Sequence, residues 1–274
     1  MKTVNAAIPL ASLTNPAAYK DPQWMGIHRL IESYSLDKHV FASSNSGEVY
    51  RKGWEWTQCI YGLQRLGAIQ PAATALGVGA GREPIIFYLG DSIQRVTALD
   101  LYGNETWSNN AREADSGVTV DPQQFCPRPI RKKQITFVNA SGTRLPFRDG
   151  AFDVCWSMSS IEHFGGHEAA AEAMREMARV TRPGGIVSVA TEYLLLPEQR
   201  HIEFFTRREL ERYIISASKR LDLVEPVAWD VLPSEFLIDQ ITVPNGVDRR
   251  RRHVVLNDGS VQWTSVLMFF RKRG

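Results

Sequence analysis

Apolar positions change their period along the chain. In Trp54-Glu55-Trp56-Thr57-Gln58-Cys59-Ile60-Tyr61-Gly62-Leu63-Gln64-Arg65-Leu66 they recur at helical spacing, and Gly67 follows as a stop. Ala75-Leu76-Gly77-Val78 is then a short apolar run leading into glycines, the pattern of a buried strand. Pro84 opens a helix over 84–89, where its missing N–H costs nothing at the first helical position. A second β-rich run covers 95–101, and the polar, proline-containing stretch 103–133 reads as a long connection with one short helix. Strands are expected at 134–139 and 152–158, and an alanine-rich helix at 167–180 with Met174, Met177 and Ala178 on one side. Pro183-Gly184-Gly185 ends that helix before a fifth strand at 186–191. Thr206-Arg207-Arg208-Glu209 has the spacing of a capping box for a helix at 209–216, and 221–225 looks like a sixth strand. Segments 253–256 and 261–270 flank Asn257-Asp258-Gly259, a hairpin signal.

Strands alternating with helices predict an α/β fold: a doubly wound, mostly parallel sheet with a C-terminal antiparallel hairpin. With no repeat and no linker in view, one domain is expected, residues 1–67 forming an arm and helical cap and 68–274 the core. The N-terminal 22 residues lack the continuous apolar core of a secretory signal, and no run approaches ~18 apolar residues, so a flexible or draped arm and no membrane span are expected. Cys59, Cys126 and Cys155 are too few and scattered for a disulfide framework and suit a reducing cytoplasm. The net charge of +2 gives no strong field for nucleic acid. The run Arg249-Arg250-Arg251-Arg252 reads as a solvated face, with contact to an anionic acceptor as the alternative.

The chemistry concentrates at Gly77-Val78-Gly79-Ala80-Gly81, between a strand and a helix. Glycines there permit a tight turn and close approach of a ligand. A dinucleotide fingerprint fails in both frames, because Arg82 or Pro84 stands where the last glycine belongs, and no Gly-Lys-Ser/Thr completes a phosphate loop. A ligand without pyrophosphate suits what remains. Asp100 ends the second strand, where a carboxylate can accept hydrogen bonds from two ribose hydroxyls; the plainer reading is a surface acid at a strand end.

Leu76-Gly77-Val78-Gly79-Ala80-Gly81-Arg82-Glu83 resembles the first motif of class I S-adenosylmethionine-dependent methyltransferases, and Ala98-Leu99-Asp100-Leu101-Tyr102 the second. Arg144-Leu145-Pro146-Phe147-Arg148-Asp149-Gly150-Ala151-Phe152-Asp153 and Arg179-Val180-Thr181-Arg182-Pro183-Gly184-Gly185 look like the segments before that family's fourth and fifth strands. The likeness covers roughly residues 67–224. It implies a Rossmann-like methyltransferase sheet, S-adenosyl-L-methionine as cofactor, and cofactor contacts at Gly77, Gly79, Gly81, Glu83, Asp100, Leu101, Ser141, Gly142 and Ser157. The family often carries an acid where Gly77 stands and another where Ser141 stands. Glu83 could replace the first by reaching the methionine end of the cofactor, and the Ser141 hydroxyl could serve the adenine edge.

The acceptor is less defined. Ser157-Met158-Ser159-Ser160-Ile161-Glu162-His163 stands where nucleic-acid amino methyltransferases usually carry Asn/Asp-Pro-Pro-aromatic. His163 falls at the open sheet edge and titrates near neutrality, which suits a general base; alternatively it caps the next helix or packs on the cofactor. Glu162 is placed to orient it or to bind a metal. His163 and His167 are four apart, but Gly165-Gly166 interrupts the face and no third zinc ligand is evident; magnesium near Glu162 stays open. His167, Glu192, Tyr193 and His201 are candidate acceptor contacts, with Glu203 in the same loop as His201. Ser159-Ser160-Ile161-Glu162-His163-Phe164-Gly165-Gly166-His167-Glu168, with Asp100-Leu101-Tyr102 and Thr191-Glu192-Tyr193, is similar to bacterial sugar or glycan O-methyltransferases of the methylmannose-polysaccharide type. That resemblance implies a small-molecule or oligosaccharide acceptor. Two alternatives remain: a phenolic or lipid-like acceptor in a slot lined by Trp54, Trp56 and Tyr193, and a non-catalytic module that binds S-adenosylmethionine and regulates a partner.

Overall fold

The computed structural model describes residues 8–41, 49–103, 114–238, 241–242 and 253–274. The arginine run 249–252 lies outside the described residues.

Asp21 accepts a hydrogen bond from the Trp24 N–H at 2.8 Å and caps α1 (Pro22–Glu32), which has proline at its first position. α2 (Arg51–Arg65) packs against it: the Trp24 indole donates to Gln58 Oε1 at 2.8 Å, and His28 Nδ1 lies 2.9 Å from the Thr57 hydroxyl. α3 (Pro84–Ser92) follows the glycine loop, and α4 (His167–Val180) occupies the segment expected of it.

The strands are β1 (Ser12–Leu13), β2 (Thr74–Val78), β3 (Arg95–Asp100), β4 (Ile135–Asn139), β5 (Phe152–Met158), β6 (Thr181–Leu194), β7 (Leu221–Leu223), β8 (Ile241–Thr242), β9 (Leu256–Asn257) and β10 (Gln262–Lys272). They form one sheet in the order β4-β3-β2-β5-β6-β10-β9-β8, with β1 and β7 also pairing with β10. β2 to β6 run parallel, whereas β10 is antiparallel to β6 and forms a hairpin with β9. This is the doubly wound α/β sheet with an antiparallel C-terminal hairpin that the pattern predicts.

Side-chain alternation along β10 divides the core. Leu267 and Phe269 face the layer containing α1, α2 and α3; Val266, Met268 and Phe270 face the layer built on α4. Gly62 lets α2 approach the sheet, since a Cβ there would sit 2.1 Å from Phe269 Cζ.

Of the two readings of the N-terminal arm, its described part is draped: β1 pairs with β10, and Leu13 is buried. Two elements differ from expectation. β6 begins at Thr181, because the Pro183-Gly184-Gly185 turn is accommodated as an irregularity opposite Asp153 rather than before the strand. The Thr206–Glu209 capping box is present, but it opens one α-turn (Arg207–Leu210) that passes into a π-turn (Glu211–Ile215).

Candidate functional site

Because β2 to β6 are parallel, their carboxyl ends share one sheet edge, where ligands bind in open α/β sheets. There the loops after β2, β3, β4 and β5 meet the start of α2 around a cavity of about 740 Å³.

One end of the cavity is nucleoside-like in its chemistry. Gly79, Gly81, Glu83, Asp100, Leu101, Ser141 and Gly142 all line it. Gly79 and Gly81 have φ of 66° and 48°, so the loop needs residues without a Cβ penalty. Asp100 is held by two backbone donors, Gly81 N–H to Oδ2 at 2.8 Å and Leu101 N–H to Oδ1 at 2.7 Å. Tyr102 donates its hydroxyl to Gly81 O at 2.8 Å and fixes the loop from below. The carboxylate keeps acceptor capacity for a ribose diol. Leu101 is 40% exposed beside it, an apolar surface for a base. Ser141 is turned into its own loop, its hydroxyl 2.8 Å from that of Thr143. This donor set fits S-adenosylmethionine.

Two expected cofactor residues do not reach the cavity. Gly77 is packed under Trp156: a Cβ would sit 2.4 Å from Trp156 Cζ2 and 2.7 Å from the Ala80 Cβ. The indole therefore fills the space that a side chain at 77 would need, and its Nε1 donates to Glu83 Oε2 at 3.1 Å. Ser157 is fully buried within β5 and lines nothing.

At the other end stand His163, Glu192, Ser159, Tyr50, Arg51, Lys52, Trp56 and His253. His163 Nδ1 lies 3.2 Å from Glu203 Oε2, so Glu203, and not Glu162, is its carboxylate partner. Burial works against the imidazolium, yet the Glu203 bond and the fields of Glu162, Glu203 and Glu192 outweigh it and raise the His163 pKa. The same bond holds the Glu203 carboxyl below its ordinary value. Glu162 points away from the cavity and is fully buried, accepting from the Thr191 hydroxyl at 2.9 Å. Burial, reinforced by Glu192, pushes it up to about 7 against the opposing field of His163. No group of three or more His, Cys, Asp or Glu side chains able to hold a metal occurs among the described residues.

His201 and His167 build the loop that carries Glu203 instead of lining the cavity. His201 Nδ1 accepts from the Glu203 and Phe204 N–H groups at 3.2 and 3.1 Å and stacks on Phe204 at 4.0 Å. His167 Nε2 bonds the Phe204 carbonyl at 3.0 Å. Tyr193 alternates to the opposite side of β6 from Glu192 and packs on Trp229 at 5.2 Å. Of the aromatic slot, only Trp56 lines the cavity; Trp54 is wholly buried in the core.

The start of α2 is the part sequence reasoning missed. Arg51 pairs with Glu192 Oε1 at 2.5 Å and with Glu55 Oε1 at 3.3 Å, while Lys52 lies 3.2 Å from Glu55 Oε2. Lys52 also donates to Met158 O at 2.9 Å. The signal was the Arg51-Lys52…Glu55 spacing at the helix start, which reads as an ordinary surface pair until the sheet covers it.

Residues 76–189 match the methyltransferase-domain family. An uncharacterized methyltransferase from Mycolicibacterium gilvum is 35% identical over 119 residues, 41% of this chain and 45% of that protein. A demethylmenaquinone methyltransferase from Beutenbergia cavernae is 36% identical over 97 residues, 34% of this chain and 39% of that one. The chain thus spans less than half the length of these relatives. Among solved structures, the 4+2 cyclase SpnF superposes with a TM-score of 0.54 at 13% identity, covering 98% of this chain and 99% of its own. A Galdieria sulphuraria protein, a candidate sarcosine dimethylglycine methyltransferase, gives 0.53 at 14%, covering 90% and 98%. These two likenesses are of fold. No helix among the described residues is long and apolar enough to cross a membrane. Residues 76–189 are a methyltransferase domain of the class I, S-adenosylmethionine-dependent type, and the sheet around them has that architecture.

Proposed function

We propose that this chain methylates a hydroxyl oxygen of a sugar or glycan acceptor, with His163 as general base and residues 1–67 serving as a cap over the acceptor. The observation that carries this reading is the His163–Glu203 pair on the cavity wall. S-adenosylmethionine supplies, when bound, a methyl group on a sulfonium with its leaving group attached. The chain must then hold the acceptor in line and remove a proton. Asp100, the glycine loop and Leu101 hold the nucleoside end. Glu203 accepts from Nδ1–H of His163, which leaves Nε2 as the basic nitrogen. His163 Nε2 would take up the acceptor hydroxyl's proton, and the imidazolium so formed would be held by Glu203.

A phenolic acceptor is the second reading. It is favoured by Trp56 and by the Tyr50–His253 stack at 4.0 Å, both on the cavity wall.

His163→Ala should lower kcat by about 10²–10⁴-fold while S-adenosylhomocysteine binding, followed by calorimetric titration, stays unchanged. A base must be deprotonated to act, so activity should be lost as pH falls through the raised His163 pKa, with the acid limb of kcat/KM above 6.5. Glu203→Gln should bring that limb down. Normal turnover by His163→Ala would sink the base assignment.

A further inference from the structure

The acceptor end of the cavity contains charges that cancel before any ligand arrives. Arg51 and Lys52 both line it, but each is already matched by a buried carboxylate, Arg51 by Glu192 and Lys52 by Glu55. Ser265 on β10 closes the group, accepting from Arg51 at 2.8 Å and donating to Glu55. Glu162 adds a third buried carboxyl behind them. An anionic ligand would thus meet two cations already matched by carboxylates, in surroundings where screening by water is weak.

Two polar groups on this wall await partners. Glu192 is 4% exposed, and its Oε2 has no hydrogen-bond partner among the described residues. Ser159 is 8% exposed, and its Oγ likewise has none. A buried polar atom left unpaired is costly, so such atoms in a cavity wall mark where a ligand supplies the bond. Ser159 is also the one non-glycine residue with positive φ among the described residues, at 49°. Backbone held in that region collects at ligand sites. A carboxylate oxygen offers only acceptor capacity, and a serine hydroxyl can both donate and accept. The complementary ligand group is therefore an uncharged O–H donor.

We propose that Glu192 and Ser159 form an acceptor subsite for an uncharged polyol, gripping a second hydroxyl near the one that faces His163. The subsite rests on the methyl-transfer reading above and narrows its acceptor class. It makes Glu192 a specificity residue: the acceptor's non-reacting hydroxyl donates to Glu192 Oε2, while Arg51 holds Oε1 in place.

The test uses the full chain with methyl-labelled S-adenosylmethionine and a panel of neutral methyl hexopyranosides, their uronates and 6-phosphates, and simple phenols. Neutral glycosides should show a kcat/KM at least 10-fold above their anionic counterparts. Glu192→Gln and Ser159→Ala should each raise the KM for the glycoside several-fold, with S-adenosylhomocysteine affinity unchanged. Ser159→Ala removes a single oxygen, so it keeps the test open if Glu192→Gln fails to fold. Equal or better transfer to uronates or phosphates, transfer to phenols alone, or an unchanged KM in the variants would overturn the subsite. If such transfer still requires His163, the base reading stands while the polyol subsite falls. No transfer to any member of the panel would overturn both.

Discussion

At the scale of single residues, the site depends on a substitution that is legible only in part. The motif puts Gly77 where the family it resembles often carries an acid, with Glu83 nearby, but does not say why. Trp156 supplies the reason: its ring occupies the Cβ position of Gly77, and its N–H holds Glu83. Residues 77 and 156 meet only through the pairing of β2 with β5, which no local pattern contains. Restoring the family's acid by Gly77→Asp would thus overpack the sheet and break a buried hydrogen bond. It should destabilise the protein by about 2–4 kcal/mol, read from the urea midpoint. A stability within about 0.5 kcal/mol of the parent would mean that the indole has room to move.

At the scale of elements, strands and motif loops were readable because their apolar period and glycines are local. β5 and α4 occupy the segments their patterns predict, and the capping box at Thr206 forms. What failed was the assignment of side chains around the loop after β6, from the start of α4 to the end of β6. His167, His201 and Tyr193 have the chemistry of acceptor contacts, yet backbone carbonyls and N–H groups of the loop engage both histidines. Their effect passes through Glu203. His201→Ala should therefore slacken the Glu203–His163 bond and reduce kcat, by less than Glu203→Gln does. It should also shift the acid limb of kcat/KM downward and leave S-adenosylhomocysteine affinity alone. A change confined to KM would instead place His201 against the acceptor.

At the scale of the whole molecule, the cap and the sheet join through buried charge. Arg51 and Glu55 come from α2, Glu192 from β6, and Ser265 from β10, with Glu162 behind them. Sequence could not reveal this group, since burial of the first turn of α2 depends on where the cap docks. The group has a consequence for global stability. Burial and the neighbouring Glu192 raise Glu162 from 4.5 to about 7, so the folded state holds its proton more tightly than the unfolded chain does. That contribution is complete below the unfolded value and is lost as pH rises through about 7. Glu162→Gln keeps an acceptor for the Thr191 hydroxyl and cannot ionise. Its Tm relative to the parent should rise between pH 5 and pH 8 by at least about 2–4 °C, the equivalent of ~1 kcal/mol for a chain of this size. Scanning calorimetry at both pH values measures the difference. A gap that stays constant would show that Glu162 is already ionised in the folded protein and that the charges between cap and sheet balance without its proton.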